Sequence, residues 1–376
     1  MKEDEEGFLY PSADKGICID CGLCEKVCPI IHARQEVPKP QKAFIVQHKD
    51  ETVLRESTSG GAFTAIAKWV IDQGGVVFGA GFNNDFEVTH QYVEHYEELS
   101  IFRNSKYVQS RIGDCYCQAK QFLEAGRYVC FSGTPCQLEG LFSFLRKPHE
   151  KLITVDVVCR ACPSPLVLRK YIEMQKNKLN IELTNIKFRD KYHGYKYSAL
   201  SLYGKNSHDY HQGIDTDYYL RSFFAGVNIR PSCTKCTFRK RYRNTDITIW
   251  DCFDVYKFSK EMDNDKGVTR LLTHTQQGEA IAKSIRKEMY FLEISPEKAV
   301  DGVKEIVHNV TPHPQREAFF QDLNRLSPEV CFQKYFPITL RHLLEKQIRL
   351  WCNRLGIYQT MKRLFKALYG GKEIKR

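Results

Sequence analysis

The stretch that decides the fold is YVCFSGTPCQLEGLFSFLRKPHEKLITVDVVC, residues 128–159. It reads in order as strand, turn, helix and strand, over 128–132, 133–136, 137–145 and 152–158. Two short apolar runs joined by a helical segment predict neighbouring parallel strands with a crossover helix. Ligands of such sheets bind beyond the carboxyl ends of the strands. Because Cys136 and Cys159 each follow one of these strands, we expect both at the same functional edge.

The same alternation of strands and helices extends to either side of this stretch. Upstream, a strand, a helix and a strand are predicted over 43–48, 62–72 and 76–80. Downstream, a strand is predicted over 246–250 and helix over 276–310, and a link containing Pro312 and Pro314 precedes terminal helices. Alternating strands and helices predict an α/β fold with a parallel or mixed sheet core and crossover helices.

Composition excludes several classes of protein. The chain has 376 residues, of which 42% are hydrophobic and 27% charged, close to the globular average, so a disordered tail or a disulfide mini-protein is excluded. We find no apolar run of about 18 residues. The N-terminus MKEDEEGFLYP is acidic and has no apolar core, which is unlike a signal peptide, and the expected location is the cytoplasm.

Fifteen cysteines are many for a chain expected in a reducing compartment, and they favour metal over disulfides. The segment CIDCGLCEKVCP, residues 18–29, has the CxxCxxCxxxCP spacing of bacterial ferredoxins. It predicts that Cys18, Cys21, Cys24 and Cys28 bind an iron–sulfur cluster, with a structural zinc site as the alternative. We assign residues 1–37 to a small ferredoxin-type module of mixed α and β structure, half of a two-cluster ferredoxin.

A second set of cysteines is dispersed: Cys136, Cys159, and the pair Cys233 and Cys236. Four thiolates are enough for one further cluster, while half of a zinc ribbon or inert core cysteines are the alternatives. Cys136 stands where a helix begins, and helix N-terminal amides favour a thiolate. The remaining cysteines have no informative spacing and are expected to be structural: Cys115, Cys117, Cys130, Cys162, Cys252, Cys331 and Cys352.

Five segments in this order carry a family resemblance. They are Ser-Thr-Ser-Gly-Gly-Ala-Phe (57–63), Ser-Lys-Tyr-Val-Gln-Ser (105–110), Phe-Ser-Gly-Thr-Pro-Cys-Gln (131–137), Arg-Pro-Ser-Cys-Thr-Lys-Cys (230–236) and Thr-Asp-Ile-Thr-Ile (245–249). Over roughly residues 7–310 the chain resembles the coenzyme F-420 hydrogenase/dehydrogenase beta-subunit family, and within it the bacterial branch associated with polysaccharide biosynthesis.

The resemblance implies a flavoprotein, usually with FAD, whose flavin lies near a 4Fe–4S cluster. It also implies that Cys136, Cys159, Cys233 and Cys236 bind this cluster. Two segments depart from the family pattern, Cys159-Arg160-Ala161 and the run 250–254, and they leave the electron donor and F-420 specificity open. The family usually has two ferredoxin runs, whereas one is present here. We therefore expect one robust cluster and a second that is partial, and interpret the N-terminal module as truncated.

The expected flavin-binding residues are Ser59, Gly60, Gly61, Lys106 and Tyr107. Amides of Ser59, Gly60 and Gly61 at a helix start could cradle a pyrophosphate, and Lys106 and Tyr107 could contact phosphate and ring. A capped helix and an exposed loop are the alternatives.

The C-terminal segment is basic and amphipathic. Residues 334–376 contain 11 Lys and Arg against 2 Asp and Glu, so they supply +9 of the net charge of +11. Such a segment either lies on an anionic membrane surface or a partner, or packs on the body with its basic face in solvent. Nucleic acid is not an expected partner, because no nucleic-acid motif accompanies the charge.

The sequence thus predicts an iron–sulfur flavoprotein oxidoreductase that acts on an organic substrate, in polysaccharide biosynthesis by resemblance. Expected partners are a redox donor such as ferredoxin or a reduced nicotinamide or deazaflavin coenzyme, a small-molecule or glycan-precursor substrate, and a membrane surface. The alternatives are an electron-transfer adaptor without its own substrate and a zinc-stabilised interaction protein. Predicted segments are the module at 1–37, a flavin region at 41–145, a C-terminal family region at 146–315 and the tail at 316–376.

Overall fold

The computed structural model describes residues 1–205, 209–358 and 360–361. The chain divides into two compact units. The first unit comprises 1–162 and 230–310, and the second comprises 163–229 and 311–376. Both units are discontinuous in sequence, unlike the contiguous segments expected for 41–145 and 146–315. The last part of the predicted tail, from residue 362 onward, lies outside the described residues.

The strands of the described residues form three sheets. They are β1 Lys2–Glu3, β2 Leu9–Tyr10, β3 Lys42–His48, β4 Val76–Phe82, β5 Val88–Val93, β6 Val129–Gly133, β7 Leu152–Val157, β8 Leu183–Asp190, β9 Ala199–Gly204, β10 Tyr210–Gln212, β11 Ile247–Asp251, β12 Thr269–Thr273 and β13 Met289–Ile294.

The α-helices of the same residues are α1 Leu23–Lys26, α2 Glu51–Glu56, α3 Ala62–Asp72, α4 Cys115–Glu124, α5 Pro135–Leu145, α6 Pro165–Leu179, α7 Tyr218–Ala225, α8 Gln276–Ser284, α9 Pro296–Val300, α10 Arg316–Leu323, α11 Pro328–Tyr335 and α12 Leu340–Arg354. Short 3₁₀ segments lie at Tyr96–Phe102, Pro231–Lys235, Val255–Lys257, Ile285–Glu288 and Lys304–Ile306.

An eight-stranded mixed sheet organises the first unit, in the order β13-β3-β12-β11-β7-β6-β4-β5. Strands β4, β6, β7 and β11 run parallel, and β12 and β5 pair antiparallel to their neighbours. The predicted parallel pair is confirmed, since β6 and β7 pair from Val129 and Leu152 to Gly133 and Asp156. The α/β fold class is therefore confirmed.

Helices cover both faces of this sheet, as the near-continuous apolar runs of its strands require. One face packs on α3 and α8, where Ile66, Val70 and Ile281 contact Val77 and Ile153 in one buried cluster. The other face packs on α4 and α5 through Ala119, Leu138, Leu141, Phe78 and Phe131. Burying a side chain of this size stabilises the fold by about 1.5–3 kcal/mol, so these helices are fixed firmly above their strand ends.

The prediction of continuous helix over 276–310 is wrong over 289–294. There Met289 to Ile294 form β13, which pairs antiparallel with β3 from His48 to Ala43. The strand lies at the sheet margin, where its exposed Tyr290 alternates with buried Met289. Pairing with β3 outweighs the local helical pattern, a tertiary effect that sequence periodicity does not register.

The second unit contains the three-stranded sheet β10-β9-β8 with helices α6, α7, α10, α11 and α12. Its core is aromatic, with Tyr171, Tyr219, Phe319 and Phe332 fully buried. Asp217 caps α7 through the Leu220 amide (2.7 Å) and accepts a hydrogen bond from the Tyr171 hydroxyl (2.5 Å). In the described residues no helix has the length and apolar content needed to cross a membrane.

Candidate iron–sulfur site

The candidate site lies at the carboxyl ends of the parallel strands. Strand β6 ends at Gly133, and the turn after it places Cys136 in the first turn of α5. Strand β7 ends at Val157, two residues before Cys159. The Cys233 and Cys236 pair comes from a different part of the chain, on and just after the 3₁₀ segment 231–235.

Direct contacts join the chain after β7 to the Cys233 segment. The Arg230 amide donates to the Cys162 carbonyl (2.8 Å), and the Cys162 amide donates to the Cys233 sulfur (3.3 Å). The Cys159 thiol interacts electrostatically with those of Cys136, Cys233 and Cys236. Five thiols are thus brought together, and we refer to Cys136, Cys159, Cys162, Cys233 and Cys236 as the cysteine group.

The spacing within this group bears on what it could hold. Around one zinc ion four sulfurs at about 2.3 Å would lie within about 4 Å of one another. No group of three or more His, Cys, Asp or Glu side chains in the described residues is arranged to hold a single metal ion. A 4Fe–4S cube separates its thiolates more widely, because each binds a different iron atom. Four or more thiols are a donor set that fits a 4Fe–4S cluster.

Desolvation disfavours the thiolate form at several of these cysteines in the absence of metal. Desolvation raises the pKa of Cys233 to about 11 and raises the pKa of Cys159 and Cys162 further. At Cys136 desolvation raises the pKa, while the Thr134 hydroxyl and Arg230 lower it. Thr134, the N-cap of α5, lies 3.1 Å from the Cys136 sulfur. Metal binding must therefore displace protons.

Two arginines supply positive charge to the cysteine group. Arg230 lowers the pKa of Cys136, Cys162 and Cys233, and Arg239 lowers that of Cys159. Arg239 is held by the Glu305 carbonyl (2.7 Å) and the Arg160 carbonyl. Fixed cations near thiolates offset part of the negative charge of a bound cluster, which favours binding and stabilises its reduced form.

The ferredoxin-type run forms a loop around α1. Gly22 caps α1 at a left-handed φ of 64°, the conformation that only glycine adopts readily. Cys18, Cys21 and Cys24 are exposed and Cys28 is half-buried. The run is thus more open to solvent than the cysteine group, of which Cys136 alone is exposed.

Residues on both sides of the run attach it beside the cysteine group. On the N-terminal side, Arg230 donates to the Leu9 carbonyl (3.0 Å) and stacks over the Tyr10 ring at 4.2 Å. The Leu9 amide also donates to the Gln109 side chain (2.8 Å), and Phe8 is fully buried. Because Arg230 lies three residues before Cys233, these contacts fix the start of the module against the cysteine group.

On the C-terminal side the module contacts α5 and the chain after Cys236. Glu36 accepts from the Tyr242 amide (2.8 Å), and Lys240 donates to the Arg34 carbonyl. Arg34 approaches Glu139 of α5 at 3.7 Å and the Phe142 ring at 5.4 Å. Helix α5 also carries Cys136, so both ends of the module touch elements that position the cysteine group.

The predicted flavin loops lie together, but their donors are already used. The Thr58 and Ser105 hydroxyls are 3.0 Å apart, which joins the two loops. The Gly60 amide and the Ser59 hydroxyl both bind Thr269 Oγ1 at 2.8 Å. A Cβ on Gly60 would lie 2.4 Å from the Val46 carbonyl oxygen. Close packing on the sheet therefore explains this glycine, and its amide does not fit the predicted phosphate contact.

Gly61 and Lys106 have structural roles of the same kind. Gly61 caps α3 at a φ of 77°, as the alternative of a capped helix predicted. Lys106 donates to the carbonyls of Ile101 (2.8 Å) and Arg103 (2.7 Å), and burial lowers its pKa to about 7. Tyr107 is half-buried on the same loop. A surface cavity of about 580 Å³ elsewhere in the first unit is lined by none of the predicted flavin residues.

Sequence reasoning missed two contributors to the site, Cys162 and Arg230. The spacing Cys159-x-x-Cys162 mirrors Cys233-x-x-Cys236 and was the available signal for Cys162. Arg230 begins the segment 230–236 that carries part of the family resemblance, but its role depends on contacts across the fold. Of the other cysteines expected to be structural, Cys115, Cys130, Cys252, Cys331 and Cys352 are buried, while Cys117 is exposed.

The five thiols of the cysteine group all fall within one family match. The family model for the C-terminal part of the coenzyme F420 hydrogenase/dehydrogenase beta chain matches residues 126–299. Over these residues the chain is similar to that family. The predicted resemblance is thereby confirmed for the region that carries the cysteine group, while the loops 57–61 and 105–110 lie outside the match.

Two further similarities were found. The ferredoxin-like N-terminal fragment is similar to the ferredoxin 7Fe of Hydrogenibacillus schlegelii, 44% identical over 39 residues, which are 10% of this chain and 50% of the relative. The chain thus spans about half the length of that relative. A chain of the xenon-derivatised F420-reducing [NiFe] hydrogenase complex from Methanosarcina barkeri superposes with a TM-score of 0.46 and 14% identity, covering 82% of this chain and 97% of that one.

Proposed function

We propose that this protein is an iron–sulfur oxidoreductase in which two 4Fe–4S clusters exchange electrons side by side. The observation that carries the proposal is Arg230, which contacts the N-terminal module at Leu9 and Tyr10 and acts electrostatically on three thiols of the cysteine group. Arg230 thereby joins the segment that precedes the ferredoxin-type run to the cysteine group. Both sets of cysteines belong to the first unit, and stepwise electron transfer would require the two clusters to be neighbours.

Cys18, Cys21, Cys24 and Cys28 would hold one cluster, and Cys136, Cys159, Cys233 and Cys236 the other. When bound, such clusters supply one-electron oxidation and reduction at potentials set by charge, hydrogen bonds to sulfur and solvent exposure. In this chain the Cys162 amide supplies a hydrogen bond to the Cys233 sulfur, and Arg230 and Arg239 supply the charge.

The proposal extends to FAD as a further cofactor and to an organic substrate, a sugar or lipid-linked glycan precursor. The resemblance in sequence motifs supports this part. Gly60 and Lys106 as placed do not fit the expected phosphate contacts, so other residues would bind the phosphates. Candidate donors of electrons are ferredoxin, a reduced nicotinamide or a deazaflavin coenzyme.

Anaerobic purification tests the metal content and the flavin separately. We expect iron and acid-labile sulfide, with a broad absorbance that dithionite bleaches, and loss of one cluster in Cys236→Ser. The matched control is Cys331→Ser, a buried cysteine outside the site, which should keep the iron content. Zinc without iron would contradict the proposal.

Acid release of flavin separates a flavoenzyme from an electron-transfer adaptor. Stoichiometric FAD supports an enzyme with its own substrate. Iron without flavin favours the adaptor alternative, in which electrons enter and leave through the clusters alone. Rapid mixing with reduced ferredoxin, reduced nicotinamide and reduced deazaflavin then identifies the donor from the rate at which the cluster absorbance bleaches.

A further inference from the structure

Helix α12 turns its apolar side away from the protein. Five large apolar residues recur at intervals of three and four, which places them in one stripe along the helix and its C-cap. All five are between 54% and 80% exposed: Leu340, Leu344, Ile348, Trp351 and Leu355. Over 15 residues the stripe extends about 22 Å.

The opposite side of α12 holds the helix to the second unit through polar contacts. Lys346 donates to the Gln212 side chain (2.7 Å), Arg349 pairs with Asp215 (2.6 Å), and Asn353 donates to the His193 carbonyl (2.5 Å). Surface helices normally bury their apolar stripe and expose polar residues. Here the arrangement is inverted, although three polar anchors keep the helix in place.

Exposed apolar stripes of this size mark interaction surfaces. The charge around this one indicates the kind of partner. Arg341, whose side chain is 77% exposed and pairs with Glu345, and Arg354 flank the stripe. In the sequence, residues 334–376 carry a net charge of +9. A second copy would bring two such charges together, whereas an anionic lipid surface attracts them. Trp351 lies in the stripe, and tryptophan is enriched where apolar and aqueous phases meet.

We propose that the α12 stripe (Leu340, Leu344, Ile348, Trp351 and Leu355) docks this protein on the surface of an anionic membrane. The helix lies in the plane of the interface, with the stripe in the acyl boundary and the arginines at the headgroups. The polar anchors on its other side stay in contact with the second unit. Docking would deliver the oxidoreductase to lipid-linked or membrane-bound reaction partners.

Vesicle flotation with the full chain tests this proposal. The probes are phosphatidylcholine vesicles with and without about one-third phosphatidylglycerol, at low and high salt. We expect binding to the anionic vesicles, weakening as salt rises, because charges at the surface are screened. Leu344→Asp should abolish binding, and Arg354→Glu should weaken it at least about fivefold, the effect of roughly one cation at an anionic surface.

A control variant and a fluorescence measurement accompany the flotation experiment. Val307→Asp places the same charge at an exposed apolar residue of the first unit and should bind as the unchanged chain does. The fluorescence of Trp351 should shift to the blue on binding, and Trp351→Phe should remove that shift.

Absence of binding at low salt overturns the proposal. Binding that requires removal of residues 362–376 overturns it in favour of a stripe covered by the chain itself, and a concentration-dependent dimer lost in Leu344→Asp overturns it in favour of a second copy.

Discussion

At the scale of single residues, Arg230 has the most consequential position. Its backbone begins the segment that carries Cys233, its guanidinium contacts Leu9 and Tyr10, and its charge acts on three thiols. Cations next to ligating thiolates stabilise the ionised form that binds metal. Removing this one side chain changes both the electrostatics of the site and the attachment of the N-terminal module.

Arg230→Ala should weaken the cluster at the cysteine group by about 10–100-fold, the usual cost of losing an outer partner of a metal ligand. Iron retained against increasing chelator is the measurement. Arg55→Ala, an exposed arginine of α2, is the control and should retain iron normally. Equal retention in both variants would show that Arg230 does not support the site.

His90 gives a residue-scale prediction for pH. It is buried between the Ser110 hydroxyl (2.6 Å) and the Ser132 carbonyl (3.1 Å), and burial lowers its pKa to about 4. The ordinary pKa of a histidine side chain is about 6.5. Between about pH 4 and pH 6.5 the unfolded chain therefore binds a proton at His90, whereas the folded chain does not. The free energy of unfolding is therefore not reduced by His90 above pH 6.5. It falls by about 2–3 kcal/mol as the pH drops towards 4.

Urea unfolding at pH 7 and at pH 4.5 tests this. We expect His90→Gln to reduce the difference in free energy of unfolding between the two pH values. His308→Gln, at an exposed histidine, should leave that difference unchanged. An unaltered pH dependence in His90→Gln would place the acid sensitivity elsewhere in the chain.

At the scale of elements, the loop between α2 and α3 shows how one pattern supports two interpretations. Ser59, Gly60 and Gly61 at a helix start predict a phosphate cradle as well as a cap. The structure favours packing, because the Gly60 backbone lies directly on strands β3 and β12 and its amide binds Thr269. The close approach of two backbones is the reason for glycine here.

Gly60→Ala should therefore destabilise the protein by about 1–3 kcal/mol, because the new methyl group would meet the Val46 carbonyl at 2.4 Å. Thermal unfolding of the variant measures this. Gly16→Ala, in an exposed loop where the nearest contact is the Asp14 side chain, is the matched control. A variant of normal stability that loses bound flavin would restore the phosphate-cradle interpretation.

At the scale of the first unit, the two sets of cysteines differ in exposure. Cys18, Cys21 and Cys24 are exposed, while Cys159, Cys162, Cys233 and Cys236 are half-buried. A cluster at the exposed run is open to oxygen and chelators, and the run has three closely spaced ligands plus Cys28. The cluster at the cysteine group should be the robust one.

Iron analysis of anaerobic protein should accordingly give nearer about 4 than about 8 iron atoms per chain, the content of one cluster rather than two. Brief chelation should remove iron first from the N-terminal run. Cys24→Ser should then lower the initial iron content only slightly, whereas Cys236→Ser should remove most of it. Equal losses in the two variants would contradict this order of stability.

Much of the first unit was predictable because its signals are local. Short apolar runs and helical periodicity predict strands β3, β4, β6, β7 and β11 and helices α3 and α5, with bounds within two residues. Strand β13 was not predictable, since pairing with β3 determines it. For the site, spacing, strand ends and the family resemblance together gave eight cysteines as candidate ligands, and these assignments stay predictions. The contributions of Cys162 and Arg230 needed the fold.

The candidate ligands follow from the sequence alone, because the thiols and their spacing are read directly from it. The sequence also determined the α/β class, because periodicity and short loops are local properties. Tertiary structure alone decided that Arg230 contacts both the N-terminal module and the Cys233 segment, and that Gly60 packs on the sheet. It also decided that α12 exposes its apolar side. Each of these depends on which distant backbone segments come to lie side by side, and residue periodicity carries no record of that.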